Sequence, residues 1–327
     1  MSLQSKIDAM IKQGVFPARF ATIISDFYAS YVKAGQKNGY RSEELDPIFS
    51  QYLDTIHEQL THPYTFELYH QRILTPIDYY NLGLNLVRPL ITFSTSSIQG
   101  QNHLETIAQT VAKGENVILL SNHQIEADPQ VINLALEKTH PKLAADMIFV
   151  AGHRVITDPL AVPISKGVNL LCIYSKNYIE NPPELKHDKL MHNRRTMNQM
   201  AELLAQGGKC IYVACSGGRD RPDSSGVVHV ADFDPNGIEM FRLMAQKSHK
   251  PTHFHTLALS THNLQPPPNN IKISLGEKRE VFASPIHLTF GPAIDMEACA
   301  GDTHDKIQRR QNRANFIWNK VAQDYAR

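Results

Sequence analysis

The chain has 327 residues, enough for one large domain or two unequal ones, which excludes a miniature scaffold held together by staples. Lys and Arg number 33 against 32 Asp and Glu, a formal net charge of +1, with 42% hydrophobic and 20% charged residues. Such a balance argues against nucleic acid or an anionic membrane as a partner held by global charge, and leaves room for a local basic pocket.

No run approaches the ~18 apolar residues of a membrane span; Val117–Leu120 and Leu257–Leu259 are strand-sized. Met1–Gln13 mixes Lys6, Asp8 and Lys12 with apolar residues and lacks a secretory signal, so an internal compartment is expected. Cys172, Cys210, Cys215 and Cys299 show no C-x-x-C pair, and buried free thiols are expected rather than disulfides or a metal site.

In chain order, residues 1–75 predict a small helical bundle. Phe20, Ile23, Ile24, Phe27 and Tyr31 recur at helical spacing, as do Phe49, Tyr52, Leu53, Ile56 and Leu60. Asp46 before Pro47 predicts an N-cap and a first-turn proline for the second of these helices. From about residue 100, strands are predicted at Asn116–Leu120, Met147–Ala151, Val168–Tyr174, Lys209–Cys215, Phe254–Ser260, Ile271–Leu275 and Ile286–Phe290. They alternate with helical patterns over 128–140, 187–206, 236–248 and 303–326. Alternation of this kind predicts an α/β domain with a mostly parallel sheet, whose ligands sit at the carboxyl ends of strands. Pro266, Pro267 and Pro268 with Asn269 and Asn270 predict a surface turn.

Two strand-end loops carry chemistry. In Ser121-Asn-His-Gln-Ile-Glu-Ala-Asp128, His123 and Asp128 can fold onto each other, so that the carboxylate fixes the imidazole tautomer while the other nitrogen takes a proton from a hydroxyl. Asp128 before Pro129 also reads as an ordinary helix cap. In Ser216-Gly-Gly-Arg-Asp-Arg-Pro222, Gly217 and Gly218 let backbone N–H groups turn toward an anion, and Arg219 and Arg221 offer guanidinium forks suited to phosphate. The alternative is a turn whose arginines pair with Asp220 or Asp223. Ala214-Cys-Ser-Gly-Gly218 also approaches a nucleophile elbow, which would make Ser216 a hydrolase nucleophile, but loop residues follow where that motif needs a helix.

His253, His255 and His262 sit in no recognised metal motif, so no metal is expected, and no Walker A, G-x-G-x-x-G or H-E-x-x-H occurs. Lys186, His187, Lys189, His192, Arg194 and Arg195 form a basic stretch that is either a solvated helix face or a dock for an acidic partner.

The two loops lie within longer strings: Ser121-Asn-His-Gln-x-Glu-Ala-Asp-Pro129, Phe149-Val-Ala-Gly-x-Arg-Val155 with Asp158-Pro159, Asn169-Leu-x-Cys-x-Tyr-Ser-Lys176 and Ser216-Gly-Gly-Arg-Asp-Arg-Pro-Asp223. With His62-Pro-Tyr-Thr-Phe66, these resemble the soluble, plastid-type glycerol-3-phosphate acyltransferases, within the wider H-x-x-x-x-D glycerolipid acyltransferases. The resemblance runs from about residue 60 to 291. It implies an α/β fold with a helical bundle over 1–75 and a larger catalytic domain over 76–327, whose mixed, mostly parallel sheet is flanked by helices. It implies transfer of a fatty acyl group from acyl carrier protein or coenzyme A to the 1-hydroxyl of sn-glycerol 3-phosphate, giving lysophosphatidic acid without a covalent acyl-enzyme.

Under that resemblance His123 is the general base, Asp128 orients it, and Arg219, Arg221 and Lys176 bind phosphate together with Ser216, Gly217 and Gly218. No cofactor is implied beyond the acyl thioester. The location would be a bacterial cytoplasm, or a plastid stroma after loss of a transit peptide, with transient membrane contact for product release. Departures are Asn177 and Tyr178 in place of a Lys-His pair, His153 in place of an Asp, and Thr256 in place of a proline. The other readings are a serine hydrolase acting through Ser216 and a non-catalytic phosphometabolite-binding protein.

Overall fold

The computed structural model describes residues 3–16, 18–268 and 277–326, with backbone alone for Ala18, Arg19, Lys176 and Asn177. Helices α1 (Leu3–Lys12), α2 (Ala18–Lys37) and α3 (Ser42–Thr61) form the predicted N-terminal bundle around Tyr31, Phe49 and Tyr52. Helix α3 begins earlier than its Asp46-Pro47 pair predicts. The Glu44 carboxylate accepts the Arg41 N–H at 2.8 Å, and Glu43 and Glu44 suit the positive end of a helix. Pro47 therefore lies inside the helix, and Asp46 accepts the Tyr28 hydroxyl at 2.7 Å instead of capping.

Next come β1 (Tyr69–His70), α4 (Tyr79–Val87), β2 (Ser97–Gln99), α5 (Gln101–Ala112), β3 (Asn116–Ser121), α6 (Asp128–Leu136), α7 (Pro141–Asp146) and β4 (Ile148–Gly152). The helix predicted over 128–140 ends at Leu136, and Pro141, which could not continue it, opens the next one. Then follow α8 (Val162–Ser165), β5 (Asn169–Ile173), α9 (Lys176–Ile179), α10 (Lys186–Gln206), β6 (Cys210–Ala214), β7 (Arg221–Pro222), β8 (Val228–His229), α11 (Pro235–Lys247), β9 (Thr252–Ser260), β10 (His287–Ile294) and α12 (Lys306–Tyr325). The predicted strand Ile271–Leu275, with Asn269 and Asn270, lies outside the described residues.

The main sheet has eight strands in the order β1-β5-β4-β6-β3-β9-β10-β2. Strands β5, β4, β6, β3 and β9 run parallel, while β1 and β10 run antiparallel to their neighbours β5 and β9. The sheet is therefore mixed and mostly parallel. Its central strand β3 is buried along its whole length because each face enters a different core. Val117 and Leu119 face the core shared with the bundle, α4 and α6; Ile118 and Leu120 face the core under α10, α11 and α12. Burial on both faces explains its uninterrupted apolar run, with each large aliphatic side chain contributing ~1.5–3 kcal/mol. The bundle's core is continuous with the first of these, and β1 already pairs Tyr69 with Leu171. Parallel register brings the carboxyl ends of β3 and β6 level, with Ser121 opposite Ala214. Both loops singled out in the sequence leave from this edge.

Candidate active site

Beyond β3, the chain turns so that the first residue of α6 reaches back over the loop before it. Asp128 Oδ2 accepts the Gln124 N–H at 2.8 Å, the Ile125 N–H at 3.2 Å and His123 Nδ1 at 2.8 Å, while Oδ1 accepts the Thr261 hydroxyl at 2.7 Å. The carboxylate thus organises its approach loop rather than capping its own helix. An oxygen that already accepts two N–H bonds can only accept from imidazole, so His123 carries its proton on Nδ1. Among the described residues no group takes Nε2, and the ring is 26% exposed while Asp128 is fully buried.

The flanking amides fix this loop to its neighbours. Asn122 exchanges hydrogen bonds with the Leu259 backbone at 2.8 and 2.9 Å, and Gln124 Oε1 accepts the Thr261 and His262 N–H groups at 2.6 and 2.9 Å. Both amides also donate to Asp220 Oδ2, at 2.8 Å from Asn122 and 3.2 Å from Gln124. Burial pushes the Asp220 carboxyl up, and the bonds it accepts, including the Ala231 N–H at 2.9 Å, oppose that shift. Asp220 therefore turns inward and Asp223 bonds Ser225 and His229, so among the described residues neither arginine pairs with Asp220 or Asp223 as in the surface-turn reading. Its main-chain N–H donates to the His123 carbonyl at 2.6 Å, which joins the two loops directly.

Arg219 and Arg221 flank this contact. Arg219 Nη2 donates to both oxygens of Glu277, at 2.7 and 2.9 Å. Arg221 Nη1 donates to the Pro268 carbonyl at 2.5 Å. Burial, and then the like charge of Arg219, push the Arg221 guanidinium below its usual value. Arg154 Nη2 lies 3.8 Å from Glu277, and its Nη1 donates to the Tyr178 hydroxyl at 3.1 Å.

Gly217 adopts φ +67°, a conformation that favours glycine, but its N–H donates to Ala214 O at 3.2 Å and is not turned toward an anion. Among the described residues, chain neighbours apart, no atom lies within 4 Å of where a Cβ on Gly217 or Gly218 would stand. Ser216 Oγ donates to the Gly218 carbonyl at 2.7 Å, and the next helix, α11, starts only at Pro235, so a nucleophile elbow is not formed. The side chain of Lys176 lies outside the described residues.

Sequence reasoning passed over Arg279. It is 4% exposed and donates to Glu126 through Nε and Nη2 at 2.8 Å each, with Asp158 at 3.4 Å. Burial alone would push its guanidinium down; the carboxylates of Glu126 and Asp158 reverse the sign and hold it above the usual value. Glu126 and Asp158 stood in the quoted motifs, yet nothing local announced their cation. Lys189 is also turned inward, with Nζ donating to Tyr178 O at 2.8 Å and to Asn181 O, so it is not part of the exposed basic face.

The histidines of β9 separate. His253 faces Glu115 at 2.6 Å, His255 faces Gly291 O at 3.0 Å, and His262 lies beyond the strand's other end. Among the described residues no cluster of three candidate metal ligands forms, and no helix is long and apolar enough to cross a membrane. Burial pushes the thiols of Cys172, Cys210 and Cys215 up to about 12, too high for a reactive thiolate.

Residues 98–258 match the protein family described as Acyltransferase. The chain is 38% identical to the chloroplastic glycerol-3-phosphate acyltransferase ATS11 of Cucurbita moschata, over 99% of this chain and 73% of that protein. It is 34% identical to the chloroplastic glycerol-3-phosphate acyltransferase of Arabidopsis thaliana, over 99% of this chain and 71% of that one. A solved structure, the 1-acyl-sn-glycerophosphate acyltransferase PlsC of Thermotoga maritima, is similar with a TM-score of 0.43 at 16% identity, covering 76% of this chain and 79% of that chain.

Proposed function

The chain belongs to the glycerol-3-phosphate acyltransferases of the chloroplastic type, and from that premise we propose how its own residues move an acyl group onto glycerol 3-phosphate. The observation that carries the reading is the junction of the two loops: a His–Asp pair at 2.8 Å whose His carbonyl is bonded to the residue between two arginines. Arg219 and Arg221, with Lys176, hold the phosphate beside the Ser216-Gly217-Gly218 turn. That leaves the 1-hydroxyl against His123.

His123 Nε2 takes the hydroxyl proton as the oxygen attacks the thioester carbon, and Asp128 stabilises the imidazolium that results. The tetrahedral intermediate expels the thiolate, which receives the same proton from Nε2. The product is lysophosphatidic acid, and no serine ester forms. The acyl thioester is a co-substrate, and the scheme calls for no cofactor.

Incubation of the chain with glycerol 3-phosphate and a labelled acyl thioester tests this reading. Lysophosphatidic acid is expected. Free fatty acid in its place would identify a hydrolase, and ligand binding with no product would identify a binding protein.

We also place acyl carrier protein, an acidic donor, on the exposed His187, Arg194 and Arg195 of α10. Arg194→Glu with Arg195→Glu should slow transfer from the carrier more than from coenzyme A; equal slowing would remove that assignment. The relatives named chloroplastic favour the plastid stroma over a bacterial cytoplasm, with product leaving by brief contact with a membrane surface.

A further inference from the structure

Glu277 stands in the middle of the arginine cluster and has no part in the scheme above. Its side chain is 9% exposed, both oxygens lie on Arg219 Nη2, and Oε2 is 3.8 Å from Arg154. Its backbone is held separately, because its carbonyl accepts Arg279 Nη1 at 3.0 Å while that guanidinium is fixed by Glu126 and Asp158. The main chain is thus anchored while the carboxylate rests on a guanidinium that a ligand would need. Clustered guanidiniums repel each other, and a buried carboxylate between them relieves that repulsion when no substrate is bound.

We propose that Glu277 is an internal competitor that glycerol 3-phosphate must displace from Arg219. The inference rests on the assignment of Arg219 to phosphate. A carboxylate brings one negative charge to the guanidinium, whereas a phosphate monoester brings nearly two and three acceptor oxygens. A dianionic phosphate therefore wins the exchange, and a singly charged carboxylate metabolite offers no gain over the group already there. Glu277 in this way lowers the affinity for every anion by a common displacement cost, which a phosphate ester overcomes and a single carboxylate does not.

Calorimetric titration of the full chain with sn-glycerol 3-phosphate, without acyl donor, tests the idea, with inorganic phosphate as a second probe. Glu277→Gln should tighten both ligands about fivefold or more, and Glu277→Asp, with its shorter reach, by a smaller factor. In an Arg219→Ala background Glu277→Gln should change affinity less than twofold. If Glu277→Gln binds equally or more weakly while Arg219→Ala weakens binding, Glu277 only props up Arg219 and the inference falls alone. If Arg219→Ala leaves affinity unchanged, the phosphate assignment itself falls. Should Glu277→Gln unfold, Glu277→Asp keeps the carboxylate and decides by the same sign, since a residue serving only as a brace would lose affinity when shortened.

Discussion

The His123 loop and the arginine loop leave the same edge of the sheet, yet they are built on opposite plans. The first is closed: Asp128 is fully buried and accepts from two backbone N–H groups, an imidazole and a hydroxyl, and Asn122 and Gln124 have partners at both ends. The second is open. Among the described residues, chain neighbours apart, nothing crowds its glycines, and Arg219 is held by a carboxylate from a distant segment rather than by its own loop. The difference fits the proposed division of labour. Under the roles proposed for them, a general base needs one fixed geometry, so its supports are permanent, whereas an anion site must exchange partners at every turnover.

The sharpest way to break this comparison is to remove the two members of the pair separately. His123→Ala should lower acyl transfer by ~10²–10⁴-fold while leaving thermal unfolding nearly unchanged, because the partly exposed ring makes a single bond among the described residues. Asp128→Asn should lower transfer comparably and also destabilise the fold by about 2–3 kcal/mol, since buried donors lose a charged acceptor. An unfolding curve for Asp128→Asn that overlays the wild type would show that the loop does not depend on the carboxylate.

On the open side, Arg219→Ala or Arg221→Ala should raise the KM for glycerol 3-phosphate by ~10–100-fold, as expected for loss of a charge-assisted bond of about 1.5–3 kcal/mol. Neither should move kcat by a similar factor, and a fall in kcat with constant KM would place the arginines in the chemical step instead.

The smallest effect concerns His153, stacked on Tyr174 at 4.2 Å beside the arginine cluster. Burial, and then the positive charges of His192 and Lys189, push it from 6.5 down to about 4. The unfolded chain therefore binds more protons between those values, and stability is lost as pH falls through that window. With partial solvent access allowed for, His153→Phe should remove on the order of 1–2 kcal/mol of that acid dependence in denaturant titrations at pH 7 and pH 4.5. An unchanged slope would mean the ring is not held neutral.

What could be read from the sequence were features whose cause is local. The parallel core strands announced themselves because burial on both faces demands apolar runs, and His123 with Asp128 because five residues of chain suffice to close the pair. Long-range partners left no such trace. Glu277 is 58 residues from Arg219 and Arg279 is 153 from Glu126, and nothing in a charged stretch says which carboxylate it meets. Strand β1 has two residues and β2 three, too short for an alternation to register. Lys189 looked like its basic neighbours because helical spacing gives a face but not the carbonyls waiting there.

Arg279 lies beyond the 98–258 stretch that matches the Acyltransferase family, as does Tyr52, whose hydroxyl donates to Leu160 O at 2.5 Å. A fragment trimmed to that stretch would retain His123, Asp128, Arg219 and Arg221. It would also take the Arg279 guanidinium away from Glu126 and Asp158, and breaking a buried ion pair costs about 3–5 kcal/mol. A whole domain is stable by only ~5–15 kcal/mol. The motif can be moved to another chain as text, but Tyr52 and Arg279, which brace its surroundings from outside that stretch, would stay behind.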